Sequence, residues 1–430
     1  MNKLYISILA FVLPLSLFAQ NPAPALPQSG PILILNAVAH IGNGQVIQNS
    51  AIGFENGKLI LVADATTIKL DRSKYKTIVD GNNKHVYPGF ICCNTTLGLA
   101  EIDLVRATND YYEVGEMNAN VRSIISYNTD SKIIPTVRSN GVLLAQVVPQ
   151  GGTITGQSSV VELDAWNWED ASYKADEGIH LNWPRMYIAK HANAESEDVQ
   201  RNRMTQQLGA IDLFFKEAKS YSMQATPVET NLRFEAMRGI FDGNKKLYVH
   251  CDFIKEIVAA VEFSKKYQVK MVLVGGGDSW RVSDLLKSNK IPVVLGNTHS
   301  LPPREDDDVD LPYKLPFLLN KAGIVYTETI DGSWQSRNVM FNAGTSVAYG
   351  VSKEDAVRSL TQYPAMILGI EDRCGTLEVG KDATLFISAG DALDMRGNSV
   401  TQAFIRGKEI VLDDVQKQLY RQYDSKYGIK

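Results

Sequence analysis

The middle of this 430-residue chain alternates short apolar runs with amphipathic stretches, and that alternation constrains its fold more than any other feature. Residues 86–94, 142–148, 247–251, 269–274, 291–295 and 324–327 are apolar runs of strand length. Helical spacing of apolar residues marks 254–267, 280–288, 315–322 and 353–368. Apolar strands of this length, each followed by an amphipathic helix, indicate parallel βα units. Their number predicts a (β/α)₈ barrel rather than an open doubly wound sheet. In such a barrel, chemistry sits at the C-terminal ends of the strands.

The two ends of the chain read differently from the middle. Residues 32–41 are an apolar strand, and 46–62 a hairpin turning at Asn56-Gly57, the strongest short-range hairpin signal. Further β-like runs cover 77–79, 84–88, 382–387 and 402–411, the last with a turn at Arg406-Gly407-Lys408. Two β-rich flanks around a barrel predict a small β-sandwich built from both chain ends. The division is then 32–87 for its first part, 88–369 for the barrel, 370–412 for its second part and 413–430 for a C-terminal helix. Residues 165–230 carry Trp166, Trp168 and Trp183 with few strand signals, and read as a lid-like insertion holding a helix over 204–221.

Lys3, the apolar run over 4–18 and the following Ala19 and Gln20 have the charge, length and exit of a secretory signal peptide over 1–20. Residues 21–31, with four prolines, read as a leader after the cut. The chain is therefore expected to be exported, periplasmic or secreted, and soluble once the signal is removed. A formal charge of −4 argues against nucleic acid and anionic membranes as partners. Cys92, Cys93, Cys251 and Cys374 read as buried free thiols, since large domains rarely need disulfides and adjacent cysteines pair poorly.

Several motifs resemble those of the amidohydrolase superfamily, specifically its imidazolonepropionase-like group. Lys84-His85-Val86-Tyr87-Pro88-Gly89-Phe90-Ile91 is similar to the entry into barrel strand one. Pro149-Gln150-Gly151-Gly152 with Ile154-Thr155-Gly156-Gln157 resembles that group's glycine-rich loop, and Arg337-Asn338 with Phe341-Asn342-Ala343-Gly344 the segment after strand eight. Gly375-Thr376-Leu377-Glu378-Val379-Gly380-Lys381-Asp382-Ala383 resembles the return to the sandwich. The resemblance implies a hydrolase of non-peptide C–N bonds, using one or two divalent metals to activate water and polarise a carbonyl. Its ligands come from an Asp-x-His-x-His motif on strand one, a histidine on each of strands five and six, and a strand-eight aspartate.

This chain departs from that donor set. Cys92 stands at the strand-one aspartate position, and Asn94 and Thr96 at the two histidine positions. Gly275 replaces the strand-six histidine, while His250 retains the strand-five one and Asp331 is the strand-eight candidate. Neutral amide and hydroxyl oxygens are poor zinc ligands beside imidazole. No cofactor is expected, a weakly held zinc on His250 and Asp331 being the alternative. Period-two alternation would turn Cys92, Asn94 and Thr96 inward together. With Gln157, His250, Asp252, Asp331 and Gly275 they outline a polar mouth. The expected function is a metal-deficient pseudo-enzyme that binds a small molecule there, or a partner such as an intact amidohydrolase or a second copy. The alternative is a hydrolase of cyclic amides or dipeptides with His250 and Asp331 as acid–base residues.

Overall fold

The computed structural model describes residues 23–190, 193–330 and 332–428. The expected signal peptide and Asp331 lie outside the described residues. Among those described, no helix is long and apolar enough to cross a membrane.

Strands from both chain ends form one hydrogen-bonded eight-stranded sheet. The first five strands are β1 (Ile32–His40), β2 (Val46–Glu55), β3 (Lys58–Asp64), β4 (Thr77–Asp80) and β5 (His85–Pro88). Asn56 and Gly57 join β2 to β3 with φ of 51° and 78°, the left-handed pair that a two-residue hairpin of this twist requires. Near the other end run β14 (Leu385–Ser388), β15 (Val400–Ile405) and β16 (Lys408–Glu409). The expected Arg406-Gly407 turn joins the last two in the same way, with φ of 46° and 72°. β5 pairs in parallel with β1 and antiparallel with β14, which ties the ends together. Ile34, Ile52, Phe54, Val86, Leu385 and Phe404 share one buried cluster across that junction. Instead of two separately bonded sheets, the strands follow one path, β16-β15-β14-β5-β1-β2-β3, with β4 added on β1.

A second eight-stranded sheet is a nearly closed barrel whose strands follow chain order. They are β6 (Phe90–Thr95), β7 (Val142–Val147), β8 (Ile154–Glu162), β9 (Ser172–Asn182), β10 (Lys246–Cys251), β11 (Met271–Gly275), β12 (Val293–Leu295) and β13 (Tyr326–Glu328). Its seam is bridged by Thr329, whose hydroxyl donates to the Cys93 carbonyl at 2.7 Å. From β9 to β13 every pair is parallel, and helices such as Ile254–Tyr267 and Leu311–Ala322 intervene as expected.

The earlier arc corrects the expectation of eight parallel units. β8 runs antiparallel to both β7 and β9. Only residues 148–153 separate β7 from β8, far fewer than the dozen or so a parallel crossover needs. The glycine-rich segment is therefore a hairpin turn, with Gly151 and Gly152 at φ of 85° and 71°. The supposed insertion needs correcting too, since it contributes β9, an 11-residue barrel strand. Lys174, Asp176 and Glu177 hide that strand from a search for apolar runs. The helix that follows spans Glu197–Ser222, longer than expected.

Inside the barrel, Ile91, Leu144, Val160, Tyr248, Val272 and Val294 pack together. Ala365, Ile367 and Leu368 of the helix Gln362–Leu368 join them, closing the end where the strands begin. After β16 of the terminal sheet, a C-terminal helix spans Val415–Tyr427, capped by the Asp414 side chain, which accepts from the Lys417 amide.

Candidate functional site

Strand one decides what the mouth can hold. Ile91 and Cys93 lie in the interior cluster, whereas Phe90 and Cys92 lie in the cluster that packs against Val339 and Met340. Cys92 thus faces out of the barrel, against expectation. The expected parity also breaks further along, because the register shifts between Cys92 and Thr95 and Asn94 takes a φ of 51°. Thr96 lies beyond the strand, where its carbonyl accepts the Leu99 amide in a tight turn. Cys92, Asn94 and Thr96 therefore present no common inward face. Burial pushes the Cys92 thiol up to about 11, which makes it a poor nucleophile. All four cysteines are buried and unpaired.

On strand six, where the resemblance implies a histidine, the chain has Gly275, and the local geometry leaves a side chain no room. Gly275 has φ of 91°, and a Cβ placed on it would stand 2.6 Å from the Asp252 carboxylate. That carboxylate also accepts the Gly277 amide at 3.2 Å. Asp252 occupies the space a side chain at 275 would need. Gln157 is likewise not part of the mouth: it pairs across from Ile179, a residue of the outer helix-facing cluster, and takes a hydrogen bond from Lys245.

His250 does stand where it was expected, inward on β10 beside Tyr248 and partly exposed. Its partner is a residue the sequence reading missed. His250 Nε2 lies 2.8 Å from His180 Nδ1 on β9. His180 Nε2 lies 2.9 Å from the Ser158 hydroxyl on β8. That hydroxyl donates to Glu177 at 2.6 Å. Glu177 also accepts from Gln146 of β7 at 2.5 Å and from the Tyr248 phenol at 2.9 Å. Burial lowers the pKa of both imidazoles, that of His250 to about 4, so they are neutral near pH 7. Burial also raises the Glu177 pKa, against the opposing pull of its three donors.

Local sequence builds this chain of contacts. The bulge at Asp176, with φ of 51°, lets Glu177 face inward while Gly178, His180 and Asn182 keep the alternation beyond it. Gly178 leaves room for the Tyr248 ring, which a Cβ there would approach to 2.3 Å. The Tyr248 ring stacks on His180 with centroids 4.6 Å apart. The available signal was Ile179 and Leu181 alternating with Gly178, His180 and Asn182.

The divalent-metal donor set implied by the resemblance does not fit these residues. Among the described residues, no three His, Cys, Asp or Glu side chains converge on a point. The two imidazoles that approach each other are already hydrogen-bonded together, and Ser158 holds the far nitrogen of one.

Among the cavities of the described residues, two bear on the ends of the barrel. One of about 660 Å³ adjoins the mouth, lined by Asn182, Trp183, Arg185, Gln200 and Arg203. Trp183 donates its backbone amide to the His250 carbonyl. Another of about 720 Å³ lies at the opposite end, beside Lys246, Met271 and Met366.

Comparison with known proteins adds the following. Residues 321–410 match the model of the amidohydrolase family. Nothing among the curated proteins matches the sequence. Among solved structures, an amidohydrolase from Thermotoga maritima MSB8 is 23% identical with a TM-score of 0.77, covering 88% of this chain and 99% of its own. Molinate hydrolase is 12% identical with a TM-score of 0.55, over 90% of this chain and 96% of its own. An adenosine deaminase from Xanthomonas campestris, with bound zinc, is 14% identical with a TM-score of 0.53, over 93% and 99%. The amidohydrolase superfamily usually binds a metal such as zinc. The chain thus carries a C-terminal segment that matches the amidohydrolase family, and its barrel has the fold of these solved amidohydrolases.

Proposed function

We propose that this chain is an exported protein that uses the amidohydrolase barrel to bind a small polar molecule at its mouth, without divalent-metal hydrolysis. The observation that carries the reading is the Asp252 carboxylate over Gly275, which fills the place of a strand-six ligand. Cys92 facing outward and the mutual bond of His180 and His250 support it. The cavity at Asn182, Trp183 and Arg185 gives a ligand a polar chamber beside His250. A pocket can retain binding when its catalytic ion is lost. A complex with an intact relative, or a second copy of the chain, belongs to the same proposal.

Metal analysis of the purified mature chain, with a hydrolysis screen over cyclic amides and dipeptides, tests this reading. Substoichiometric zinc and no turnover are expected. Stoichiometric zinc with turnover abolished by His250→Ala would establish the competing reading, a hydrolase with a single weakly held metal or none. One observation favours that second reading: His250 is neutral and partly exposed, as a general base must be.

A further inference from the structure

We infer that Glu177, acting through Ser158 and His180, fixes the tautomer of His250, so that the barrel mouth offers a hydrogen-bond acceptor and selects a ligand carrying an N–H or O–H group. The inference rests on the reading of the mouth as a binding site, and its polarity follows from counting protons along the chain of contacts.

The count starts at Gln146. Its Oε1 accepts the Asn94 backbone amide at 3.1 Å, which orients the side chain and makes Nε2 the atom facing Glu177 Oε1. Glu177 Oε1 therefore already receives a donor. The Ser158 hydroxyl has one hydrogen, and Glu177 Oε1 at 2.6 Å is the acceptor for it. Ser158 then has only lone pairs left, for Gln146 Nε2 at 3.2 Å and for His180 at 2.9 Å. His180 must present Nε2–H to it. A neutral imidazole carries one N–H, so His180 Nδ1 is bare and accepts from His250 Nε2–H at 2.8 Å. His250 Nδ1 is then also bare, and among the described residues nothing hydrogen-bonds it.

The direction does not depend on whether Glu177 is ionised. A proton on that carboxyl would sit on Oε2, which faces the Tyr248 phenol at 2.9 Å, and the phenol can turn its own hydrogen to the Ile367 carbonyl at 3.4 Å. Oε1 remains an acceptor in either state. Ser158 and Glu177 are thus positioning residues, separated from any ligand at His250 by the His180 and His250 rings.

Long-range ¹H–¹⁵N correlation of the imidazole rings in the full mature chain reads the tautomers directly, with only six histidines in the sequence. His180 and His250 are both expected as Nε2–H forms. Glu177→Gln is expected to keep this pattern, because an amide oxygen can stand at Oε1. Ser158→Ala is expected to abolish the single-tautomer pattern at His180. An Nδ1–H form at either ring of the parent protein would overturn the inference, whether or not the variants fold. Acetamide, an N–H donor, is expected to shift the His250 Nδ1 resonance, and N,N-dimethylacetamide, which has no such hydrogen, to leave it in place. Equal shifts from both amides would overturn the acceptor role. Nε2–H tautomers without a response to either amide would remove the binding reading and leave the proton order standing.

Discussion

Two buried glutamates, Glu177 in one arc of the barrel and Glu328 in the other, are treated in opposite ways. In the irregular arc, Glu177 is met by Ser158, Gln146 and Tyr248. In the regular arc, Glu328 has the Thr298 hydroxyl at 3.4 Å and the Ser346 side chain beside it, while among the described residues its Oε1 has no hydrogen-bond partner. Burial pushes the Glu328 carboxyl up to about 8, so it is largely protonated at neutral pH. The contrast teaches that the backbone irregularities around β8 and β9 serve the polar interior. They bring donors from three strands onto one carboxylate, which a uniform apolar strand does not do.

The largest effect expected from this contrast is a pH dependence. Glu328 is neutral in the folded protein and ionises near 4.5 when unfolded, so its burial stabilises less and less as pH rises from 4.5 to about 8. Glu328→Gln lacks that loss. Its stability relative to the parent should therefore improve over this range by on the order of 5 kcal/mol, read from urea unfolding at several pH values. A difference that stays flat with pH would show that Glu328 is ionised in the fold.

Glu177→Ala should come next, costing about 4 kcal/mol by leaving three buried donors without an acceptor. Glu177→Gln should cost far less, and equal losses for the two would break the contrast between the arcs. In the regular arc, Val294→Ala tests packing alone and should cost about 2 kcal/mol in the same assay. Smallest is Gly275→Ala, at roughly 1 to 2 kcal/mol from backbone strain and displacement of Asp252. Gly275→His should gain no zinc by elemental analysis, and stoichiometric uptake would show that the mouth can reopen.

Legibility in the sequence followed the same division. The β10–β13 arc, with the helix Ile254–Tyr267, is readable because apolar runs mark its strands and helical spacing follows them. The Asn56-Gly57 hairpin was readable from turn chemistry alone. β9 was not, because its inward face carries Glu177 and His180 and its bulge interrupts the alternation. β8 was missed because the glycines at 151 and 152 suggested a loop, when the short connection made it a hairpin. Of the site, His250 was found through the resemblance, at the strand-five histidine position on a legible strand. Gln146, Ser158, Glu177 and His180 were not, since polar residues inside a barrel give no amphipathic signal. Such local disagreement between pattern and fold is expected where a protein does its work.

The carboxylate lying across Gly275 couples two positions of the chain. A side chain introduced at 275 alone collides with Asp252 before it can reach into the mouth, and shortening 252 alone leaves a glycine with nothing to offer. Any new donor at this point of the barrel therefore demands a paired change, and a library that varies one position at a time would pass it by.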